Sequence, residues 1–542
     1  MKSKEHITHL LAIIICIIIF VIIPVKYIVP VNLQNADNTH EELTAFSLNV
    51  VNNWLIDGII NDKFVMYTEY ASVEFENNNN RNVYLSYPPG ALIPLYLTAK
   101  VSGKNEISIG FIKRFVQLEY YLSIILLSLL FYICLRLIEV KSRWLILSLP
   151  VMFSSLWAFL PYNVYYMNNV YYADQAVILL SIMFFLIEIM FYGKQFKNNE
   201  TFLNILSSMV LFAGILTDYY FFCIASVAVL FRLLNNFREH QKKSFIFKLL
   251  HNTWPLILTT VMASALFVIQ LISVPDGLKL LALTFSERSS SGTEWGGMAI
   301  LARHLGNGFT VLFIPVLIWV TTFCLIFPLI RKNYSEKKQV IIDGLSLIVL
   351  STVLHTIILR EHSIIHEFSM LKYNLVFVFI MFALSCWLYI NYQSSAFDRT
   401  EKHLRVILKM FFCLIIVFIL GLQSYNHNFY RARMSTADHS IARFIGANSN
   451  YYDVVYSPEY EINWNPPQDL AISKKRVYKV SSLHEIPHNN LPAQAVINIL
   501  ISRDSLENED WNTLMRQKKY LTKSDHLYLF KIPRKSFQAI VK

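Results

Sequence analysis

Residues 10–25 read LLAIIICIIIFVIIPV, a run without a single charged side chain. A helix needs about 20 apolar residues to cross the hydrocarbon layer of a membrane, and with its flanking residues this run is long enough. Lys2 and Lys4 precede it, as basic residues precede the apolar part of a signal peptide, but no A-x-A-like cleavage site follows. The stretch therefore predicts an uncleaved first transmembrane span.

The rest of the chain has the same apolar character. Among its 542 residues, 55 % are hydrophobic and 16 % are charged, whereas an ordinary soluble protein carries about 25 % charged residues. This composition excludes a soluble enzyme, an intrinsically disordered protein and a secreted disulfide scaffold. The six cysteines lie inside apolar stretches without metal-binding or redox spacing, so they indicate buried thiols rather than disulfides.

Apolar runs of spanning length recur along most of the chain. They predict an α-helical multi-pass membrane protein with about eleven spans. The predicted spans are 8–30, 111–138, 144–161, 171–192, 202–217, 219–237, 253–274, 308–330, 340–359, 369–392 and 405–424.

Lys and Arg collect in the loops at one set of span ends, which places these loops and the N-terminus in the cytoplasm. This bias accounts for the net charge of +11 without nucleic acid as a partner. Residues 1–424 then form a transmembrane domain whose loops 31–110 and 275–307 lie on the outer side of the inner (plasma) membrane. The polar tail 425–542, in which short β-like runs alternate with turn signals, predicts a small α/β domain outside the cytoplasm.

Acidic and histidine residues gather near the outer ends of the predicted spans. Ionisable groups close to membrane depth are costly and usually serve a function. An ion-coupled transporter would place them near the midplane, in helices broken by Gly or Pro in repeated halves, and the sequence lacks this pattern. The outer set comprises Asp37, Glu41, Glu42, Asp57, Asp174, Asp218, Glu361, His362, His366 and Glu367.

Two local patterns mark the first outer loop. Asp37 and Glu41 are four residues apart, so they would share one face of a helix that continues with an apolar stripe. This pattern predicts a helix lying on the outer membrane surface; the alternative is that the acids only complement the helix dipole. The sequence SYPPG at 86–90 then predicts a rigid turn before a second interfacial helix.

This layout resembles the membrane glycosyltransferases of the C-type fold (GT-C), which include the protein O-mannosyltransferases and the lipid A aminoarabinose transferases. The resemblance covers most of the chain in layout and five places in local sequence, all on the predicted outer side. These places are ADNTHEEL at 36–43, SYPPG at 86–90, VYYADQAV at 170–177, GILTDYY at 214–220 and REHSIIHEF at 360–368.

The resemblance implies an enzyme that moves a sugar from a polyprenyl-phosphate donor to a lipid-linked glycan, a lipid or a protein, with inversion at the anomeric carbon. Such chemistry needs a base for the acceptor hydroxyl and cations or hydrogen-bond donors for the leaving phosphate. A first-loop acid, one of Asp37, Glu41 and Glu42, is the expected base. Asp174 is the expected second acid or metal ligand.

Further side chains in the same motifs are expected to bind the substrates. Lys binds phosphate as a point charge and Arg as a planar fork, with Arg288 and Arg303 of the outer loop 275–307 as alternative phosphate ligands. The expected substrate-binding residues are Tyr87, Pro88, Asp218, Arg360, His362, His366 and Lys372.

Some of these residues fit simpler roles. Asp174 and Asp218 lie at predicted helix starts and could cap them. His362 and His366 are four residues apart, which permits zinc binding, yet H-E-x-x-H is absent and no third ligand is evident. The motifs identify no particular cofactor, and a divalent metal ion is the alternative that the residues leave open.

Two other functional classes also fit a multi-pass chain with membrane lipids around it. An O-antigen-type polymerase or ligase uses outer polar loops as well, although its large loop usually lies mid-chain rather than at the end. A transporter or lipid flippase would depend on an ion gradient. The sequence has neither a P-loop nor G-x-G-x-x-G, so a lipid-linked donor is favoured over a nucleotide-linked one.

Overall fold

A computed structural model gives the architecture of the chain. The predicted span 308–330, most of the span 405–424 and the first-loop residue Asp37 lie outside the residues that it describes. Those residues are 2–28, 40–69, 82–193, 199–239, 245–289, 336–393, 416, 419–422, 426, 439–449, 453–462, 467–486, 496–502, 514, 521–523 and 526–541.

Most of the described chain is helical. The helices are α1 (Lys2–Ile17), which continues through a π-helical turn (Ile18–Ile22) into α2 (Ile23–Ile28), α3 (Glu42–Asn53), α4 (Leu92–Val101), α5 (Ile109–Leu137), α6 (Arg143–Ala158), α7 (Pro161–Asn169), α8 (Ala173–Tyr192), α9 (Glu200–Ile215), α10 (Tyr220–Glu239), α11 (Phe245–Ile272), α12 (Gly277–Ser289), α13 (Glu336–Ile358), α14 (Arg360–Ile365), α15 (Met370–Gln393), α16 (Ser440–Asn448), α17 (Pro467–Ser473) and α18 (Arg534–Val541).

Several of these helices have the length and composition of membrane spans. In the described part of the chain, four are long and apolar enough to cross a membrane: His6–Tyr27, Ile109–Leu137, Ala173–Tyr192 and Asn252–Ile272. Shorter apolar helices lie at Glu200–Ile215, Tyr220–Leu234, Asp343–Ile358 and Met370–Cys386. Each one coincides with a predicted span, while the total of about eleven spans stays a prediction.

The predicted span 144–161 differs from the structure at its end. Helix α6 stops at Ala158, and α7 leaves it at an angle of 71°. Leu160 is extended at the junction, and Pro161 opens α7. Proline suits the first helical position because the missing N–H would have no intrahelical partner there. The polar and aromatic segment 161–169 is therefore a separate buried helix.

A buried ion pair and its hydrogen bonds connect four apolar helices. Glu188 of α8 binds Arg232 of α10, and both side chains are fully buried. The Arg232 guanidinium also donates to Asn204 Oδ1 of α9 and to the carbonyl of Asn252 in α11, each over 2.6 Å. Paired and hydrogen-bonded in this way, the charges can lie within an apolar core.

The tail contains a five-stranded sheet. Its strands are β1 (Val454–Ser457), β2 (Val477–Lys479), β3 (Val496–Ser502), β4 (Leu521–Lys523) and β5 (Leu527–Pro533), in the order β2-β1-β3-β5-β4. Strand β1 pairs in parallel with β2 and β3, whereas β5 pairs antiparallel with β3 and β4.

The sheet region rests on the first loop. Arg476 Nη1 binds Glu69 Oε1 over 2.9 Å, and the Glu69 side chain is buried. Lys474 forms a second, exposed ion pair with Glu106. Because α17 also packs on α3, the C-terminal sheet and the first loop lie on the same side of the helical bundle.

Candidate active site

A buried lysine lies at the centre of the polar cluster. Lys372, in the first turn of α15, donates from Nζ to Asp174 Oδ1 over 2.8 Å and to Asp218 Oδ2 over 3.1 Å. The Nε2 atom of His355 lies 3.4 Å from the same Nζ. All four side chains are at most 2 % exposed. Motifs far apart in the sequence therefore meet at one ammonium group.

The two aspartates are held in different ways. Asp218 Oδ1 accepts a hydrogen bond from the Tyr220 amide over 2.7 Å, so this residue caps α10 and binds Lys372 at once. Asp174 lies within the first turn of α8, where the N-cap residue Tyr172 makes no side-chain cap. Its Oδ2 atom is buried and has no hydrogen-bond partner within the described chain.

The SYPPG turn contacts the turn between α9 and α10 that carries Asp218. The Gly90 amide donates to the carbonyl of Leu216 over 2.6 Å. A Cβ atom at Gly90 would lie 2.3 Å from that carbonyl oxygen, so only glycine permits the approach. Pro88 is extended and leads into a short 3₁₀ turn, Pro89–Ala91. The turn thereby brings Tyr87 to the cluster.

Tyr87 connects the SYPPG turn to the segment between α13 and α15 that carries His362 and His366. Its ring stacks on Tyr219 with centroids 5.6 Å apart, and its hydroxyl lies 2.8 Å from His362 Nε2. Burial is the main reason that the pKa of Tyr87 is raised well above its ordinary value, so the phenol stays protonated.

Two histidines, His362 and His366, lie beside the Asp174 carboxylate. His362 Nε2 lies 4.0 Å from Asp174 Oδ2, and its ring centroid is 4.6 Å from that of His366. The His366 ring stacks on Phe368. Burial lowers the pKa of both imidazoles, that of His366 to about 4. Both are therefore neutral at pH 7.

An arginine of the second outer loop reaches the same place. Arg288, near the end of α12, donates to the Ser86 carbonyl over 3.2 Å. Its guanidinium lies over the Tyr87 ring, 4.6 Å from the centroid. From the sequence, Arg288 is expected only as an alternative phosphate ligand, and the other alternative, Arg303, lies outside the described residues. Arg360, at the start of α14, is half-buried two residues before His362.

The first-loop acids Glu41 and Glu42 contact different partners. Glu41 is fully buried and accepts from Lys113 Nζ over 3.1 Å. Glu42 is half-buried and lies 3.2 Å from His40 Nδ1. The His40 ring packs on Phe368, whose ring also stacks on His366. Glu42, rather than Glu41, therefore lies on the side of the cluster that carries His366. Whether either acid is catalytic stays a prediction.

A divalent metal does not fit the described cluster. Within the described residues, no group of three or more His, Cys, Asp or Glu side chains is arranged to hold a metal ion. The place between Asp174 and Asp218, where a cation would bind, is filled by the Lys372 ammonium. The zinc alternative for His362 and His366 also gains no third ligand there.

Comparison with solved structures identifies the fold. ArnT from Cupriavidus metallidurans in the apo state matches with a TM-score of 0.54 and 8 % identity over 98 % of both chains. The same protein bound to undecaprenyl phosphate matches with a TM-score of 0.54 and 10 % identity over 97 % of both. The apo oligosaccharyltransferase of Archaeoglobus fulgidus gives 0.51 and 11 % over 88 % of this chain and 64 % of that one.

These matches confirm the resemblance to the GT-C proteins at the level of the fold. They agree with the four helices of the described chain that are long and apolar enough to cross a membrane. No protein-family model and no curated protein sequence matches the chain. Function must therefore be argued from the site.

Proposed function

We propose that the protein is a membrane glycosyltransferase that moves a sugar from a polyprenyl phosphate to a hydroxyl of a lipid-linked glycan, a lipid or a protein. The fold supports the class of reaction. The observation that carries the proposal is the buried Asp174 Oδ2 atom, which has no partner within the described chain although Oδ1 binds Lys372. A buried carboxylate oxygen needs a hydrogen-bond donor, and an acceptor hydroxyl supplies one.

Asp174 would act as the base. As the acceptor oxygen bonds to the anomeric carbon, its proton passes to Asp174 Oδ2, and the bond from the anomeric carbon to the phosphate oxygen breaks. The polyprenyl phosphate leaves with the electron pair, and a single displacement inverts the anomeric carbon. Glu42 is the second candidate for this role, since its partner His40 packs on Phe368, which stacks on His366.

Arg288 is the better candidate to hold the leaving phosphate. Its described partners, the Ser86 carbonyl, the Tyr87 ring and the Tyr84 side chain, include no carboxylate, so its charge is left for an anion. Lys372, in contrast, already binds two carboxylates. Arg288, rather than Lys372, is therefore the proposed ligand of the leaving phosphate. Tyr87 would line the sugar site between Arg288 and His362.

The site would face the outer side of the plasma membrane. The cluster lies at the ends of spans that the charge bias assigns to this side, and the C-terminal sheet contacts the first loop there. On this arrangement the donor reaches the site from the outer leaflet, and the acceptor approaches from the extracytoplasmic space.

Replacement of the base tests the proposal. The purified protein in lipid nanodiscs is supplied with a native membrane lipid extract, and release of free polyprenyl phosphate is measured by mass spectrometry. Loss of a general base lowers the rate by about 10²–10⁴-fold, so Asp174→Asn should be nearly inactive. The control is Asp276→Asn, at an exposed position after α11. If Asp174→Asn keeps more than about a tenth of the wild-type rate, Asp174 is not the base.

A further inference from the structure

The ammonium of Lys372 has the surroundings of a bound cation. Two carboxylate oxygens lie 2.8 and 3.1 Å from Nζ, and the His355 nitrogen lies 3.4 Å away. Oxygen and imidazole ligands of this kind suit Zn²⁺ and Mn²⁺. The ligands come from the start of α8, the turn before α10 and the last turn of α13, so the tertiary structure has gathered them around one point.

The cluster also needs a cation for electrostatic reasons. Asp174, Asp218 and Lys372 are at most 1 % exposed. Two buried carboxylates side by side repel each other and lose their hydration, so their ionised forms require a compensating positive charge. Lys372 supplies that charge from the chain itself.

We propose that Lys372 is a built-in cation that takes the place of a divalent metal in this site. It is a positioning residue, which acts on the reaction by holding Asp174 and Asp218. Two consequences follow. The wild-type protein works without a divalent metal, a statement that rests on the proposed function. Removal of the Lys372 side chain opens a metal site formed by Asp174, Asp218 and His355, a statement that does not depend on the reaction.

The exchange requires the ligands to move, because within the described chain these three side chains do not yet form a metal site. Metal–ligand distances for Zn²⁺ with carboxylate and imidazole are about 2.0–2.2 Å. The two carboxylate oxygens and the His355 nitrogen, now 2.8, 3.1 and 3.4 Å from Nζ, must therefore move inward by roughly 0.7 to 1.3 Å. His362 lies 4.0 Å from Asp174 Oδ2 and can approach as a further ligand. Lys372→Ala removes the ammonium and its aliphatic chain, which leaves room for the ion.

Mn²⁺ binding tests the proposal directly. The purified full-length protein is titrated with MnCl₂, and free Mn²⁺ is measured by electron paramagnetic resonance. We expect Lys372→Ala to bind one equivalent more Mn²⁺ than the wild type and to melt at a higher temperature when Mn²⁺ is present. Lys372→Arg, which keeps a cation, and the double variant Lys372→Ala/His355→Ala, which lacks a ligand, should not gain this binding.

Two results would overturn the proposal. One is a folded Lys372→Ala protein that binds no more Mn²⁺ than the wild type. The other is a wild-type transfer activity that EDTA abolishes and Mn²⁺ restores, a measurement that decides the matter even when Lys372→Ala does not fold. A wild type without any transfer activity would count against the proposed function instead, and the Mn²⁺ titration would still stand.

Discussion

His366 links the protonation of one side chain to the stability of the site. Its folded pKa of about 4 lies below the ordinary histidine value, chiefly because the ring is buried. Between these two pH values the unfolded chain binds the proton more readily than the folded one. The stabilising contribution is therefore complete above pH 6.5 and is lost as the pH falls toward 4.

Removal of this imidazole should flatten the pH dependence of stability. We expect the melting temperature of His366→Gln to fall less steeply than that of the wild type between pH 6.5 and 4. The measurement is thermal unfolding in detergent across this range. His484→Gln, at an exposed position of the tail, is the control and should follow the wild type. Parallel curves for His366→Gln and the wild type would contradict the assignment.

Among the structural elements, the SYPPG turn depends most on a single contact. Gly90 lies against the Leu216 carbonyl, where a Cβ atom would overlap with backbone. Neither backbone segment can move aside as a flexible side chain would. Any displacement of this turn also shifts Tyr87 away from His362 and Tyr219.

Gly90→Ala should therefore lower both stability and transfer activity. Overpacking in a close-packed interior typically costs about 1–3 kcal/mol, and the melting temperature and the rate of polyprenyl phosphate release are the measurements. Gly421→Ala is the matched control, because a Cβ atom there meets no atom of the described residues within 4 Å. Equal stability and activity of the two alanine variants would show that the turn is not held by this contact.

For the whole molecule, the junction between the C-terminal sheet and the first loop combines a buried ion pair with an exposed one. The Glu69 carboxylate is 2 % exposed and also accepts from Asn82 Nδ2 over 3.0 Å. Both members of the Lys474–Glu106 pair are at least 40 % exposed. Exposed pairs contribute about 0–1 kcal/mol, whereas a hydrogen bond to a buried charge contributes about 1.5–3 kcal/mol.

The two ion pairs should respond differently to truncation. Arg476→Ala should loosen the sheet region, seen as faster cleavage of the C-terminal tail by a protease, and Lys474→Ala should have little effect. Charge reversal at both positions, Glu69→Arg with Arg476→Glu, should recover part of the loss. Equal protease sensitivity of the two alanine variants would exclude Arg476 as the main contact.

The orientation of the whole chain in the membrane can be tested with an impermeant thiol reagent. A cysteine in place of the exposed His484 should react in intact cells, because the tail is predicted to lie outside the cytoplasm. A cysteine in place of the exposed Lys141 should react only after permeabilisation. Ser457 would be a poor reporter since its side chain is fully buried in β1. Labelling with the opposite pattern would invert the topology.

The positions of the apolar helices could be predicted from the amino-acid sequence alone. An apolar run of about 20 residues must be helical in lipid because its backbone has no other hydrogen-bond partners, and this requirement is local. The predicted spans accordingly coincide with α5 and α8 to within a few residues. The GT-C resemblance, carried by short motifs at one set of predicted span ends, is likewise confirmed by the fold.

Which polar side chains come into contact depends on the tertiary structure. The motifs predict an acidic pair of Asp174 and a first-loop acid, but the acid across Lys372 from Asp174 is Asp218, while Glu41 binds Lys113. His355 was not foreseen, and its only signal is a lone histidine near the outer end of an apolar helix. Such meetings depend on the rotation and packing of helices from distant parts of the chain, which local hydrophobicity does not specify.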